Sequence, residues 1–291
     1  MALTIREFFK RFSDDDACLT HLFEVRFGQG HVCPKCGTEA KWYKLTNVRA
    51  YSCQWCGHHL HPTAGTLFED SRTALQLWFY AIYLFTTSRH GVPAKELQRQ
   101  LGVTYKTAWR MGHEIRKHMA AVDGDPQLRG QVEVDETYIG GVVSGKGRGL
   151  KMENKTVVVA MVQRGGDVKT KVMSRANHPV ILKEIHRNVR QGSTIHTDES
   201  KIYERLATRG FKHKTVDHGA EEYATKDGRG TNTVEGFFGH LKNSLSGTHV
   251  SVSGKHLASY VGEFEYRYNS RQKPEQMIDE LLTTFPKLNE E

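Results

Sequence analysis

Two sets of side chains in this sequence have the types and spacing to do chemistry. The first is sulfur. Cys33, Cys36, Cys53 and Cys56 form two C-x-x-C pairs, CPKC and CQWC, with sixteen residues between them. Two tight turns of this kind can each fold two thiolates toward one tetrahedral zinc ion. Gly37 and Gly57 follow the second cysteine of each pair, where a positive φ is needed to close the turn. Four protein ligands leave no open coordination position, so the zinc would be structural. His31, His58, His59 and His61 lie close by and could replace a sulfur; four cysteines are the preferred set. Trp42, Tyr43, Tyr51 and Trp55 would supply the module's small core, with DNA contact as a further role. Cys18 reads as a small buried hydrophobe.

The second set is carboxylate. Asp135 lies in VEVDETYIGG, Asp198 in IHTDES and Glu235 in TNTVEGFFGHLK. Acids inside or at the end of otherwise β-branched strands are locally inconsistent with burial, which marks a site. If the strands of Asp135 and Asp198 are neighbours, both acids aim at one spot, and a helix bearing Glu235 could pack beside them. Three such carboxylates can hold two Mg²⁺ (or Mn²⁺) ions, which activate an attacking oxygen and stabilise the leaving oxygen of a phosphodiester. Rivals remain at this level. Glu133 shares a strand face with Asp135 by alternation, so periodicity does not choose between them. Glu136 and Glu199 are adjacent acids, and Glu235 follows Asn232 at capping-box spacing.

The elements that would position these groups can be read along the chain of 291 residues. Residues 1–26 form an amphipathic helical region carrying Phe8, Phe9, Phe12, Leu19, Leu22 and Phe23. Together with the ribbon it makes a module over 1–65. A second module covers 71–122: an apolar helix from Leu75 to Thr86, a helix over Ala94–Leu101, a turn at Gly102–Val103 and a helix over Thr104–Met119. Leu97, Val103, Ala108 and Met111 face inward, the spacing of a helix-turn-helix. Tyr105, Lys106, Arg110, Arg116 and Lys117 are then available for phosphates or bases. A linker over 123–130 leads to an α/β domain over 130–285. Its predicted order is strands over 131–139, 155–163 and 168–174, a helix over 179–189, and a strand over 193–197. A helix over 200–208, a strand over 211–216 and helices over 235–245 and 255–269 complete it. The acidic tail from Glu275 is expected to lie apart from DNA.

Charge supports a polyanionic partner: 41 Lys and Arg stand against 33 Asp and Glu, a net +8. Basic residues outnumber acidic ones again in GGVVSGKGRGLK and its surroundings, where Lys146 and Arg148 sit on a glycine-rich loop suited to DNA. That loop lacks the spacing of a nucleotide-binding P-loop. The N-terminus has charges at Arg6, Lys10 and Arg11 and no signal-peptide pattern. No apolar run reaches membrane-spanning length. A cytoplasmic protein is expected.

Taken together, CPKC…CQWC, VDETYIGG, IHTDES and NTVEGFFGHLKNSLSGTHVSVSGKHLASYVGEFEYRYN resemble the DDE transposases of bacterial insertion sequences. The nearest likeness is to insertion-sequence family fifteen-ninety-five, the ISXO-two-like transposases, and it covers about Cys33 to Asn269. The resemblance implies an α/β, ribonuclease-H-like catalytic domain preceded by a zinc ribbon and a helix-turn-helix. It implies Asp135 and Asp198 as first and second metal carboxylates and Glu235 as the third, a place where the family also uses Asn or His. It implies a DNA contact for Lys242, seven residues after Glu235 and on the same helix face. His196 and His240 would orient or pack. The implied activity is 3′-end cleavage of the element and joining to target DNA. The implied partners are terminal inverted repeats, target DNA and a second protomer, on the bacterial nucleoid. A DNA-binding regulator built on the same scaffold and a metal-dependent nuclease that hydrolyses without joining are the competing readings.

Overall fold

A computed structural model describes residues 3–140, 155–200, 203, 206–216 and 230–286. The chain forms two compact units, Met1–Val122 with Gln272–Glu291, and Asp123–Arg271. Among the described residues no helix is long and apolar enough to cross a membrane.

In the first unit the N-terminal region is two helices, α1 (Ile5–Arg11) and α2 (Asp15–Arg26). The sequence holds two start signals. Thr4 and Glu7 form a capping box for α1, and Asp14 caps α2 by accepting from the Ala17 N–H. A three-stranded antiparallel ribbon follows: β1 (Trp42–Lys44), β2 (Tyr51–Cys53) and β3 (His59–Leu60). So small a sheet has little core of its own. It borrows one from α2, where the Phe23 ring stacks on Tyr51 at 3.9 Å. Next come α3 (Leu75–Thr87), α4 (Ala94–Leu101) and α5 (Tyr105–Val122). Gly102 ends α4 with φ +65, the left-handed conformation that a glycine cap supplies without strain.

The last element, α9 (Met277–Thr283), also belongs to this unit. The sequence reading had assigned residues 272–285 to the catalytic domain; they fold with the N-terminal helices instead. Met277, Ile278, Leu281 and Leu282 are buried, and the imidazoles of His118 and His21 meet the carbonyls of Leu281 (2.8 Å) and Leu282 (3.0 Å).

The second unit is built on a five-stranded sheet of β4 (Gln131–Ile139), β5 (Thr156–Gln163), β6 (Val168–Met173), β7 (Thr194–Thr197) and β8 (Lys212–Thr215). The spatial order is β6-β5-β4-β7-β8; the first three strands run antiparallel, and β7 and β8 run parallel to β4. This is the ribonuclease-H-like arrangement. Three helices flank it: α6 (His178–Asn188), α7 (Asn232–Ser244) and α8 (Gly254–Asn269). The run TVVVAMVQ in β5 is apolar throughout because both its faces are covered. Val157, Val159 and Met161 join Ile181, Leu182 and Ile185 of α6 on one side; Val158, Ala160 and Val162 join Val234, Phe237 and Leu241 of α7 and Leu257 and Val261 of α8 on the other.

Two boundaries differ from the sequence reading. The helix expected from residue 235 begins at Asn232. The helix expected over 200–208 lies partly outside the described residues; of the described ones, Tyr203 and Ala207–Arg209 are in 3₁₀ conformation, the latter turn closed by Gly210 at φ +88.

A buried ionic knot ties the start of this unit to its sheet. Lys169, 5% exposed at its side chain, meets Asp123 Oδ2 at 3.0 Å and Glu265 Oε1 at 3.2 Å. Asn269 donates to both oxygens of Asp123 at 3.0 Å. Burial pushes the Glu265 carboxyl up to about 7, against the pull of Lys169. Removing one member of such a cluster leaves the others charged and unpaired. Lys169→Met is therefore expected to destabilise the second unit by about 3–5 kcal/mol, measured as faster hydrogen exchange of the β5 and β6 amides at fixed pH.

Candidate active site

Side-chain alternation on β4 sorts its acids onto two faces. Val132, Val134 and Glu136 face the α6 layer; Glu133, Asp135 and Thr137 face the α7 layer, paired with Val162, Ala160 and Val158 of β5. On the other side of β4, Glu133 pairs with His196 of β7 in parallel register. Asp135 lies on β4 two residues past this pairing. Asp198 sits just beyond the end of β7 and accepts from the Ser200 N–H at 3.1 Å. Glu235 sits in the first turn of α7, where the Thr231 hydroxyl donates to its Oε1 at 2.7 Å.

Burial raises the Asp135 carboxyl to about 6, opposed by the N–H of Glu136 and reinforced by the charges of Glu136, Asp198 and Glu235. Carboxylates are the hard oxygen donors that a divalent cation takes; Asp135 and Asp198 are half-buried and Glu235 is exposed, and among the described residues the four thiols, not these acids, are the group whose ligand atoms converge on one metal position.

The rival acids have other partners. Glu133 is buried (1% exposed) and caps α7 from across the layer. It accepts from the N–H of Thr233 (2.7 Å), the hydroxyl of Thr233 (2.8 Å) and the N–H of Val234 (3.0 Å). Arg164 Nε donates to it at 2.6 Å and anchors the chain ahead of the helix through the Gly230 carbonyl, 2.9 Å away. Glu136 accepts from the fully buried Tyr203 hydroxyl at 2.5 Å. Burial raises its pKa, and Asp198 adds to the shift. Glu199 is exposed. The expected capping box of Asn232 and Glu235 does not form: Asn232 is already helical, Thr231 is the N-cap, and the first N–H groups go to Glu133.

Arg164, Thr231, Thr233 and Tyr203 were missed by the sequence reading. Only tertiary packing brings them to β4. His196 is buried against Gln131 Oε1 at 2.6 Å, a packing role as expected. His240 and Lys242 are exposed on α7.

The four thiols converge. Their sulfurs all lie within 4.8 Å of one another, with Cys33 to Cys56 at 3.6 Å and Cys36 to Cys53 at 4.0 Å. A tetrahedron with Zn–S bonds of about 2.3 Å needs sulfurs about 3.8 Å apart. Gly37 and Gly57 adopt φ +68 and +66 and donate to the carbonyls of Cys33 and Cys53. None of the neighbouring histidines belongs to the cluster.

Tyr105, Lys106 and Arg110 are exposed on α5. Arg110 reaches Ser71 Oγ at 3.2 Å, and Lys95 lies over the Tyr105 ring at 4.9 Å. Trp109, 37% exposed, shares that face and was overlooked. Arg116 corrects the expectation: it is 2% exposed, donates to the Val92 carbonyl at 3.0 Å and lies over the Phe85 ring. Lys117 pairs with Glu114 at 3.6 Å. Lys146 and Arg148 lie outside the described residues.

Comparison with known proteins adds to this geometry. Residues 127–269 match the family model for the ISXO2-like transposase domain, and residues 13–59 that for the transposase zinc-ribbon domain. An uncharacterised protein in transposable element ISH50 of Halobacterium salinarum is 28% identical over 284 residues, covering 91% of this chain and 94% of the relative. Among solved structures, the Mos1 strand transfer complex matches 72% of this chain and 79% of its own at 11% identity, with a TM-score of 0.23. The Mos1 transposase paired-end complex with left transposon end matches 72% and 80% at 11% identity, with a TM-score of 0.24.

Two outcomes follow from these sites. Elemental analysis is expected to find about one zinc per chain, released as the four thiols react with a mercurial and lost in Cys33→Ser and Cys53→Ser. In chelator-treated protein, Asp135→Asn is expected to raise stability. The Asp135 pKa in the fold lies above its ordinary 3.8, so its penalty is absent below that value and complete above about 6. The gain should reach about 2–3 kcal/mol at pH 7.5 and vanish in acid. Thermal melts at both pH values measure it.

Proposed function

We propose that the protein, whose residues 127–269 match the ISXO2-like transposase domain and residues 13–59 the transposase zinc-ribbon domain, cleaves the 3′ ends of its own insertion sequence and joins them to target DNA at Asp135, Asp198 and Glu235. The observation that carries the reading is the match of residues 127–269 to that transposase domain, within which Asp135 lies on β4, Asp198 just past β7 and Glu235 in the first turn of α7; burial, with the charges of Glu136, Asp198 and Glu235, raises the Asp135 carboxyl. Perturbed acids of this kind cluster at functional sites.

Asp135 and Asp198, on adjacent strands, would hold two Mg²⁺ or Mn²⁺ ions between them, and Glu235 would close the third side from α7. Bound there, the ions supply Lewis acidity that activates the attacking oxygen and offsets charge on the phosphate and leaving oxygen. The protein's own groups do the placing. The sheet would hold Asp135 and Asp198, and the start of α7, capped by Glu133, would hold Glu235. Glu133, already engaged by Arg164 and α7, does not compete as a ligand. The same centre serves cleavage and joining, because both are in-line displacements at phosphorus.

Lys242 extends the site two helical turns along α7 and would contact the DNA backbone near the reacting end. Tyr105, Lys106 and Arg110 on α5 would read or grip the terminal repeats, with the zinc ribbon, Lys146 and Arg148 adding contacts. Two transposon ends must be paired, so the working complex contains at least two protomers. This activity places the protein in the cytoplasm, on nucleoid DNA.

The test is a supercoiled plasmid carrying the gene's own flanking DNA, incubated with Mg²⁺ or Mn²⁺. Wild type is expected to nick the 3′ ends and form joined products, and Asp198→Asn to lose at least a thousandfold of both. Cleavage without joining would make the protein a nuclease. Equal activity in the two proteins would remove Asp198 from the site. Binding without cleavage by either would favour a regulator.

A further inference from the structure

We propose that Glu133 is a positioning residue for the carboxylate centre, setting the place of Glu235 and shielding the centre from the positive charge of Arg164 and the α7 N-terminus. The proposal rests on the reading of Asp135, Asp198 and Glu235 as a cation site.

Glu133 and Asp135 are two residues apart on one strand face, about 7 Å along the strand, yet their surroundings are opposite. Glu133 receives four hydrogen bonds, from the Thr233 N–H, the Thr233 hydroxyl, the Val234 N–H and Arg164 Nε. Asp135 receives one from its neighbour's N–H at 2.7 Å and otherwise faces like charges. One acid is neutralised, and the other is left in want of a cation.

The engagement of Glu133 has a geometric consequence. A helix start presents N–H groups that lack partners within the helix. In α7 the N-cap residue Thr231 makes no side-chain cap; its hydroxyl goes to Glu235. The cap comes from β4 instead. Val234, held by Glu133, is followed immediately by Glu235. The path from Asp135 to Glu235 is thus two strand residues, one buried carboxylate and one residue of helix.

It has an electrostatic consequence as well. The N-terminus of a helix carries about half a positive charge, and Arg164 adds a full one. Both lie beside the centre through their bonds to Glu133. With Glu133 ionised they are offset, and the excess negative charge at Asp135 is preserved. With Glu133 neutral, they would repel divalent cations and draw the acids away from them. Glu133→Gln keeps the shape of the side chain and removes the charge, so it isolates this effect.

The experiment measures Mn²⁺ affinity of the zinc-loaded full chain by electron paramagnetic resonance, without DNA. Wild type, Glu133→Gln, Asp135→Asn and Ile185→Val are compared. Ile185 is buried on the opposite face of the sheet and reports mild destabilisation alone. Glu133→Gln is expected to weaken Mn²⁺ binding at least tenfold, Asp135→Asn to abolish it, and Ile185→Val to leave it unchanged. Wild-type affinity in Glu133→Gln, with binding lost in Asp135→Asn, overturns the proposal and keeps the cation site. Wild-type affinity in Asp135→Asn overturns the cation site itself. A loss in Ile185→Val equal to that in Glu133→Gln reduces Glu133 to a stability role. Thr233→Val removes one of the four donors without altering the strand and is expected to weaken binding about twofold to threefold. If Glu133→Gln does not accumulate, unchanged affinity in Thr233→Val overturns the proposal.

Discussion

Carboxylates held close together repel, and that repulsion is strongest where burial has removed water. In the second unit Asp135 on β4 and Asp198 just past β7 are half-buried, and Glu235 at the start of α7 is exposed. Asp135 lies on β4 two residues past its last pairing with the parallel strand β7, and Asp198 follows the end of β7. Neither strand can slide, because a shift of one residue would turn the β4 and β5 valines out of two packed layers. Glu235 comes from a helix, which could move, and the helix is fixed by a fourth acid, Glu133, whose own charge is satisfied. The sheet supplies rigidity, and the bonds of Glu133 supply aim.

Much of this is legible from the residue pattern. The strands β4 to β8 follow from β-branched runs broken by glycine turns, and α4 and α5 from the apolar spacing on either side of Gly102. Choosing among the acids is not legible. A period of two puts Glu133 and Asp135 on one face whatever the fold, and what separates them is the arrival of α7, a hundred residues later in the chain. The same limit explains Arg116. Its spacing along α5 resembles that of a surface cation, but it projects toward Phe85 and the Val92 carbonyl, where a guanidinium can be buried because its donors are met. The placement of the tail is not legible either: residues 272–285 follow the α/β domain in sequence but cluster with the first unit. The four apolar residues that bury α9 are interleaved with its acids at helical spacing.

The first unit meets a different difficulty. Its ribbon has three strands of two or three residues each, too few to fold unaided. Two reinforcements converge on β2. Cys53 places one end of the strand in the thiol cluster, and Tyr51 lays the other against Phe23. Arg49, just before the strand, bonds to Asp15 of α2 and to the carbonyls of Ser71 and Thr73. Metal, ring stack and ion pair thus act on a segment of five residues, from Arg49 to Cys53.

The membership of α9 in the first unit has a consequence for how the protein is made. Synthesis runs from the N-terminus, and domains ordinarily fold as they emerge from the ribosome. Here α1 to α5 emerge first but lack the helix that covers their apolar surface until residue 283 has been added. The whole of the second unit is translated in the interval. A nascent or prematurely terminated chain therefore carries exposed apolar residues that a completed chain does not.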